Sequence, residues 1–594
     1  MKNSSLIEKN GVPFIKVGDE ELAAVAYITY FDERNEYEKF SKLGYRIYSV
    51  SVSTASRAIN TSSGFMPFLG GIFDKKDNPD FSFLDRSIRA ITDICPNAYI
   101  FPRIYLCMPK WWCDENSEEC IMTPKDGMRE ALYSDKFKSD CGEMLQEIIA
   151  YINAQDYSEN IIGYQLSGGN TQEWFHLDNR EGSFADVALP YFNNYLKENR
   201  PDLAPLSKMS ERIFENGFAK DVYMQEYIDF ANDCVADTVE YFCKLAKEET
   251  NFKQLVGAFY GYTLEVSNPV EGTHALYKLL DSKHIDFFSS PNSYVQSRPL
   301  GIDWGDMMPV SSVRLHGKFC FIECDIRTQL SLSPGESRKG SDPHNYYTSA
   351  VWRGPATDEL SVMAMRKCYA HQLTHHHAFW WFDMFGHWYD TKALLTEAER
   401  SLRLAELHQK RGLDFDTELA VFVDERAYKH VARSGKEARA IYNLRTSLGA
   451  SGIPYHVYLI EDFNRLVKDG FDYKAVIFAC VPDTENIISA MNYCAEKNIF
   501  FHKLSAGKLE YTAQDWRELL IPSGVHFYTD TGEDVVYVGC GILALHAHDE
   551  GEKTLKLPRK VYVTAAWEKG KAVYTDTVTF TAMRFETKLF NIVD

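Results

Sequence analysis

A chain of 594 residues is longer than one hydrophobic core serves, so two to four domains are expected. With 45% hydrophobic and 25% charged residues its composition is that of an ordinary globular protein. The net charge of −20 argues against nucleic acid or an anionic membrane surface, which are held by Lys and Arg, and fits a neutral small substrate.

The opening MKNSSLIEKNGVPFIKVG carries no apolar run that could act as a signal peptide, and no stretch of 18 apolar residues exists to span a membrane. The 13 Cys are scattered without a small-domain framework, so reduced thiols and a cytoplasmic location are expected. Aromatic residues make up 14% of the chain, and eight of the ten Trp precede residue 415. Buried packing accounts for such Trp; sugar clefts also use them, because an aromatic face stacks on the apolar face of a pyranose.

From residue 20 to about 385, short apolar runs alternate with helical patterns, the signature of parallel βαβ units. Eight strands are predicted, beginning at Ala23, Tyr45, Ala98, Ile161, Leu255, Ile285, Phe319 and His376. Most are continuously apolar, as strands buried on both faces must be. Helices are predicted over Phe83–Ile94 and Ser139–Asn153. Eight such units make residues 1–414 a decorated (β/α)₈ barrel. Residues 415–525 then repeat the alternation on a smaller scale, with strands in TELAVFVDE, PYHVYLIED, YKAVIFACV and NIFFHKL and helices over Glu437–Leu448 and Glu485–Glu496. This is a doubly wound, flavodoxin-like α/β domain without a glycine-rich phosphate loop. Residues 526–594 lose their helices, and VHFYTD, DVVYVGC, ILALHAH, KTLKLP, KVYVTAAW and AVYTDTVTF predict a small antiparallel β-domain.

Barrel enzymes carry their reacting groups at the C-terminal ends of the strands. Two carboxylates emerge there: Glu173, in SGGNTQEWFH after strand four, and Glu323, near the end of FCFIECD on strand seven. Glycoside hydrolysis needs one carboxyl to protonate the leaving oxygen and a second to attack the anomeric carbon. Glu173 abuts Trp174 and Phe175, an apolar wall that favours the protonated form of a general acid. Glu323 lies close in sequence to Arg327, whose charge would keep a nucleophile ionised. The plainer alternatives are a solvated loop Glu at 173 and a structural Glu323–Arg327 ion pair. A carboxylate inside an apolar strand is nevertheless expensive unless paired or functional.

At these stretches the sequence resembles clan A glycosidases, in particular the β-galactosidases of glycoside hydrolase family 42 and related gut-bacterial families, including the family 164 β-mannosidases. The resemblance covers most of the chain, through FIKVGDEELAAVAYITYF, GYQLSGGNTQEWFH, FYGYTLE, HALYKLLDSKHIDFFSSPNSYVQSRPLG, GKFCFIECDIRTQLS and TEAERSLRL. It implies a retaining exo-β-glycosidase acting on terminal sugars of oligosaccharides or glycoconjugates, with Glu323 as nucleophile and Glu173 as acid/base. It also implies a homotrimer, because the α/β domain resembles the trimerisation domain of family 42. One departure stands out. Clan A strand four usually ends in Asn-Glu, whereas here Asn170 precedes Glu173 by three positions, so Glu265 after FYGYTLE remains an alternative acid/base. Loss of that pair also keeps open a catalytically inactive sugar-binding protein on the same scaffold.

By position, substrate binding is assigned to Arg103, Trp111, Trp112, Asn170, Trp174, Tyr260, Glu265, Tyr294, Arg327, Trp380, Trp381 and Asp383. Tyr294 is expected to hold the nucleophile. No cofactor and no metal are expected. Cys107, Cys113, Cys120 and Cys141 lack a C-x₂-C pair for the structural zinc some family 42 enzymes hold, and the consecutive His375, His376 and His377 cannot all face one ion from a strand.

Overall fold

A computed structural model describes residues 2–594 except 178–186, 210–212, 266–267, 296–297, 350–351, 409–412, 433–434 and 569. Eight parallel strands close into a barrel: β1 Val25–Thr29, β2 Ile47–Ser53, β3 Tyr99–Leu106, β4 Gly163–Gly168, β5 Leu255–Ala258, β6 Phe287–Pro291, β7 Phe319–Cys324 and β8 Ala378–Phe382. All eight begin at, or one or two residues after, the starts predicted above. Continuous burial along them follows from having side chains on the inside and helices on the outside.

The two faces separate cleanly. Inward residues (Ala26, Ile28, Ile47, Phe101, Phe287, Phe321, Trp380, Phe382) form one cluster, whereas Tyr27, Tyr48, Ile104, Ile322 and Trp381 belong to the shell between barrel and helices. Aromatic rings fill the interior, with Phe101 against Phe287 at 5.7 Å and Phe321 against Trp380 at 4.4 Å between ring centres. An unforeseen element closes the opposite end of the barrel. Ser4–Lys9, Val12–Val17 and Glu20–Ala23 form an antiparallel meander whose Ile15 and Val17 join the interior cluster. Its first strand is tied to the start of β5 by the bond from Leu255 N–H to Ser4 Oγ, 3.1 Å.

The α/β region has four parallel strands, β9 Leu419–Val423, β10 Tyr455–Leu459, β11 Ala475–Phe478 and β12 Phe500–Lys503, in the order β10-β9-β11-β12. Alternation along β9 sends Val421 and Val423 toward helix Lys436–Gly449, and Ala420 and Phe422 toward the face packed by Phe463 and by Ile487 and Ala490 of helix Glu485–Glu496. Helices therefore cover both faces of this sheet.

The C-terminal sheet has five antiparallel strands, β13 Val535–Gly539, β14 Ile542–His546, β15 Gly551–Ala565, β16 Val573–Ala582 and β17 Thr587–Val593, in the order β13-β14-β17-β15-β16. Three details differ from the sequence expectation. VHFYTD is not a strand; it is a connector, its Tyr528 N–H bonded to Gly452 O and its Tyr528 O accepting from Lys556 N–H. KTLKLP and KVYVTAAW are one strand, β15, whose register against β16 shifts between Lys556 and Val561. Pro558 lies in that shift, where its missing N–H interrupts no ladder bond. The closing strand β17 was not foreseen.

Among the described residues no helix is long and apolar enough to cross a membrane.

Candidate active site

Side chains repeat direction every second residue along a strand. Arg103 and Glu323 lie two residues beyond the inward Phe101 and Phe321, and therefore one layer nearer the C-terminal mouth. There Arg103 Nη2 donates to Glu323 Oε1 at 2.6 Å, with side-chain exposures of only 1% and 5%. Arg103 Nε donates to Gln165 Oε1 at 2.8 Å, the two residues standing opposite in the β3–β4 register. Phe259, Trp380 and Phe382 enclose the guanidinium at 5.3–5.4 Å. Burial raises the Glu323 carboxyl above its ordinary range, and the charge and hydrogen bond of Arg103 pull it back.

The loop after β4 is built differently. Residues 169–175 fold back on the strand end, Trp174 N–H donating to Gly168 O and Asn170 N–H to Phe175 O, each at 2.8 Å. Gly169, Thr171, Gln172 and Trp174 all take left-handed backbone, with φ between 57° and 70°. Three of these are not glycine, and each such residue costs on the order of 1 kcal/mol or more. Core contacts hold the strained loop. The Trp174 ring is fully buried, lying so close over Gly168 that a Cβ there would meet it at 2.4 Å. Its indole N–H reaches Leu166 O at 3.2 Å, and Asn170 Oδ1 accepts from Thr61 N–H at 2.9 Å.

This loop presents Glu173, half-buried, with the Tyr262 hydroxyl on Oε1 and the Thr171 hydroxyl on Oε2. Burial pushes its carboxyl up to about 8. The two hydroxyl donors oppose that shift, and the nearby charges of Glu323 and Asp325 add to it. At neutral pH Glu173 therefore carries a proton, with Glu323 and its arginine partner close enough to act on it electrostatically. Tyr30 closes the rim between them, its hydroxyl donating to Gln172 Oε1 at 2.8 Å and its ring edge-on to Phe382 at 4.8 Å. Several buried polar atoms on the inward face or this rim have no protein partner: Ser51 Oγ, Gln165 Nε2, Gln172 Nε2 and Ser289 Oγ. Buried polar groups are costly unless satisfied, so they mark places for hydroxyls or water.

Other residues named from sequence lie elsewhere. Arg327 does not pair with Glu323: it lies beyond the end of β7, donates to Asp325 Oδ2 at 3.1 Å and stacks over Trp352 at 4.8 Å. Glu265 is held away from Glu323 by Ser293 Oγ at 2.8 Å, Tyr294 N–H at 2.9 Å and Arg445 of the α/β region at 3.1 Å. Trp381 points outward, as the neighbour of an inward Trp380 must, and its indole bonds to Tyr45 Oη at 3.0 Å. Trp111 and Trp112 are tied to Phe73 O and Asp140, Trp174 is core, and Tyr260 is buried with its hydroxyl on Gly272 O. Both Asp383 oxygens are occupied, by Tyr27 Oη and the N–H groups of His387 and Trp388. Asn170 is committed to Thr61. Tyr294 faces Asp325 and Glu173 electrostatically, and Arg298 stacks on its ring at 4.6 Å; no hydrogen bond to Glu323 is seen.

Tyr30, Gln165, Gln172 and Tyr262 were missed. Gln165 was within reach of the sequence, since it stands mid-strand in an otherwise apolar run. Among the described residues Cys107, Cys113, Cys120 and Cys141 bring no set of three ligand atoms together, and Cys107 is engaged by Thr54.

No protein-family model and no curated protein matches the chain. Solved structures do. A β-galactosidase from Bacillus circulans sp. alkalophilus superimposes with a TM-score of 0.63 at 11% identity, covering 96% of this chain and 98% of that one. A family 42 β-galactosidase from G. stearothermophilus gives 0.61 at 10% identity with the same coverage. An α-L-fucosidase from Paenibacillus thiaminolyticus gives 0.55 at 12% identity, covering 96% and 99%. The chain has their fold. The likeness spans the barrel, the α/β region and the C-terminal sheet, because nearly all of both chains is covered.

Proposed function

We propose that this protein is a retaining exo-β-glycosidase of β-galactosidase or β-mannosidase type, with Glu323 as nucleophile and Glu173 as acid/base. The observation that carries the reading is the contrast between two neighbouring carboxyls: one protonated at neutral pH by burial, the other gripped by a guanidinium. In the first half-reaction Glu323 attacks the anomeric carbon as Glu173 gives its proton to the departing oxygen. Loss of that proton and formation of a neutral ester at Glu323 leave Glu173 free to take a proton from water in the second half-reaction. The unpartnered atoms of Gln165 and Ser289 supply hydrogen bonds to sugar hydroxyls, and the fold shared with β-galactosidases supports the same substrate class.

Hydrolysis of a panel of nitrophenyl β-galactoside, β-mannoside, β-glucoside and β-fucoside, with the first-formed anomer read by proton NMR, tests the reading. A β-anomer as first product is expected. An α-anomer would indicate inversion, and no turnover of any member would favour a sugar-binding protein. We further propose a closed homotrimer built on the α/β region; a sedimenting mass three times the 68.1 kDa chain is expected.

A further inference from the structure

A second polar cleft lies away from the barrel mouth, where barrel, α/β region and C-terminal sheet meet. It encloses about 610 Å³, and its walls include Asp306, His371, Arg445, Tyr455 and Gly539. Beside it three potential ligands converge. Asp306 comes from the segment between β6 and β7, His371 from the last turn of helix Asp358–Thr374, and His377 from the residue preceding β8. His371 Nε2 lies 3.8 Å from Asp306 Oδ2 and His377 Nδ1 lies 3.8 Å from Asp306 Oδ1, and a ligand atom from each residue falls within 4.8 Å of the others.

These groups are buried without being satisfied. His371 and His377 are 4% and 2% exposed, and Asp306 Oδ1, His371 Nδ1 and His377 Nε2 have no hydrogen-bond partner. At 3.8 Å the histidine–aspartate contacts are too long for hydrogen bonds. A single ion bound at about 2.0–2.2 Å from each of two ligands spans the gap between His371 Nε2 and Asp306 Oδ2. His377 Nδ1 bonds to Gln372 Oε1 at 2.9 Å; an amide oxygen accepts, so Nδ1 carries the proton and Nε2 keeps a bare lone pair. Such an outer partner is the usual orienting device of a metal-bound histidine.

Nearby positive charges are already committed. Arg445 bonds the Asp306 backbone oxygen and pairs with Glu265, and the Lys367 ammonium sits over the Trp304 ring at 3.6 Å. Among the described residues the two other clusters of metal-ligating side chains are internally satisfied. His376 Nδ1 is bonded to Gly11 O and Asp414 accepts from Cys540 N–H; Glu36 is paired with His387 and Lys39.

We infer that Asp306, His371 and His377 form a binding site for a zinc-class divalent cation, with the cleft supplying water as the remaining ligand. Two imidazoles and one carboxylate suit zinc or a neighbouring transition ion over calcium or magnesium, which prefer all-oxygen sets. The ion would pin the segment before β7 to the helix-to-β8 junction on the outside of the barrel.

Full-length protein, freed of any affinity tag and stripped with chelator, should bind one Zn²⁺ per chain in calorimetric titration and melt at a higher temperature when loaded. X-ray absorption of the zinc-loaded wild type should show only nitrogen and oxygen neighbours. Asp306→Asn and His371→Gln should each weaken binding tenfold or more, whereas Cys540→Ser should leave it unchanged. The inference is overturned by wild-type protein that binds no Zn²⁺ at micromolar concentration, by sulfur in the coordination shell, or by affinity that survives both substitutions. The wild-type titration and absorption data decide even where a variant fails to fold.

Discussion

Glu323 and Glu173 influence one another electrostatically, yet the chain positions them by opposite means. Glu323 sits on a regular strand, and its direction and height follow from two-residue alternation above Phe321. Glu173 sits on a loop with four left-handed residues, held by a buried Trp174 and by Asn170. A rigid strand suits a nucleophile that must attack along one line. A strained, packed loop lets a carboxyl be placed against Tyr262 where no strand end reaches. The difference teaches that the two roles impose different demands on local structure, and each can be removed separately.

The largest effect is expected at the strand. Glu323→Gln should lower turnover by about 10⁴-fold or more, since no other carboxyl stands ready to form the glycosyl-enzyme. Mass spectrometry after trapping with a 2-fluoro glycoside should place the label on Glu323; a label on Glu265 would reassign the site.

The loop should respond in a substrate-dependent way. Glu173→Ala should slow substrates with poor leaving groups by about 10²–10⁴-fold and spare activated aryl glycosides in the first step, which need little protonation. Azide should restore rate in this variant by attacking the glycosyl-enzyme without base assistance. Equal losses on both substrate classes would show that Glu173 acts only through structure.

Arg103→Met sharpens the contrast from the strand side. It leaves Glu323 buried without its partner, at a stability cost of about 3 kcal/mol. Because Arg103 holds the Glu323 carboxyl down, its loss should raise the pKa of the nucleophile and move the acid limb of kcat/KM to higher pH. An unchanged acid limb would mean that another group sets it.

The smallest effect concerns Tyr262, whose hydroxyl bonds to Glu173 and favours its ionised form. Removing that donor raises the acid's pKa. In Tyr262→Phe the alkaline limb of kcat/KM, expected near pH 8 in the wild type, should therefore move up by about one unit, the equivalent of 1.36 kcal/mol. Motion in the opposite direction would show that the bond favours the protonated acid instead.

The sequence by itself determined the barrel. Its eight strands announce themselves as apolar runs, because burial on both faces leaves no other composition available, and Glu323 stands out as the charge that breaks one of them. The alternation over 419–503 likewise reveals a sheet covered on both sides. Only the tertiary structure decided what surrounds the carboxyls. Arg103, not Arg327, grips Glu323, because barrel closure brings the inward faces of β3 and β7 together across 220 residues. Trp380 and Trp381 look equivalent as letters, but the pleat sends one inward and the other into the helical shell. Glu265, the alternative acid/base, is bonded to Ser293, to Tyr294 and to Arg445 of the neighbouring α/β region, partners its place in the chain did not announce. Partner choice depends on distances between segments remote in the chain, and those are fixed only when strand register, loop strain and packing between regions act together.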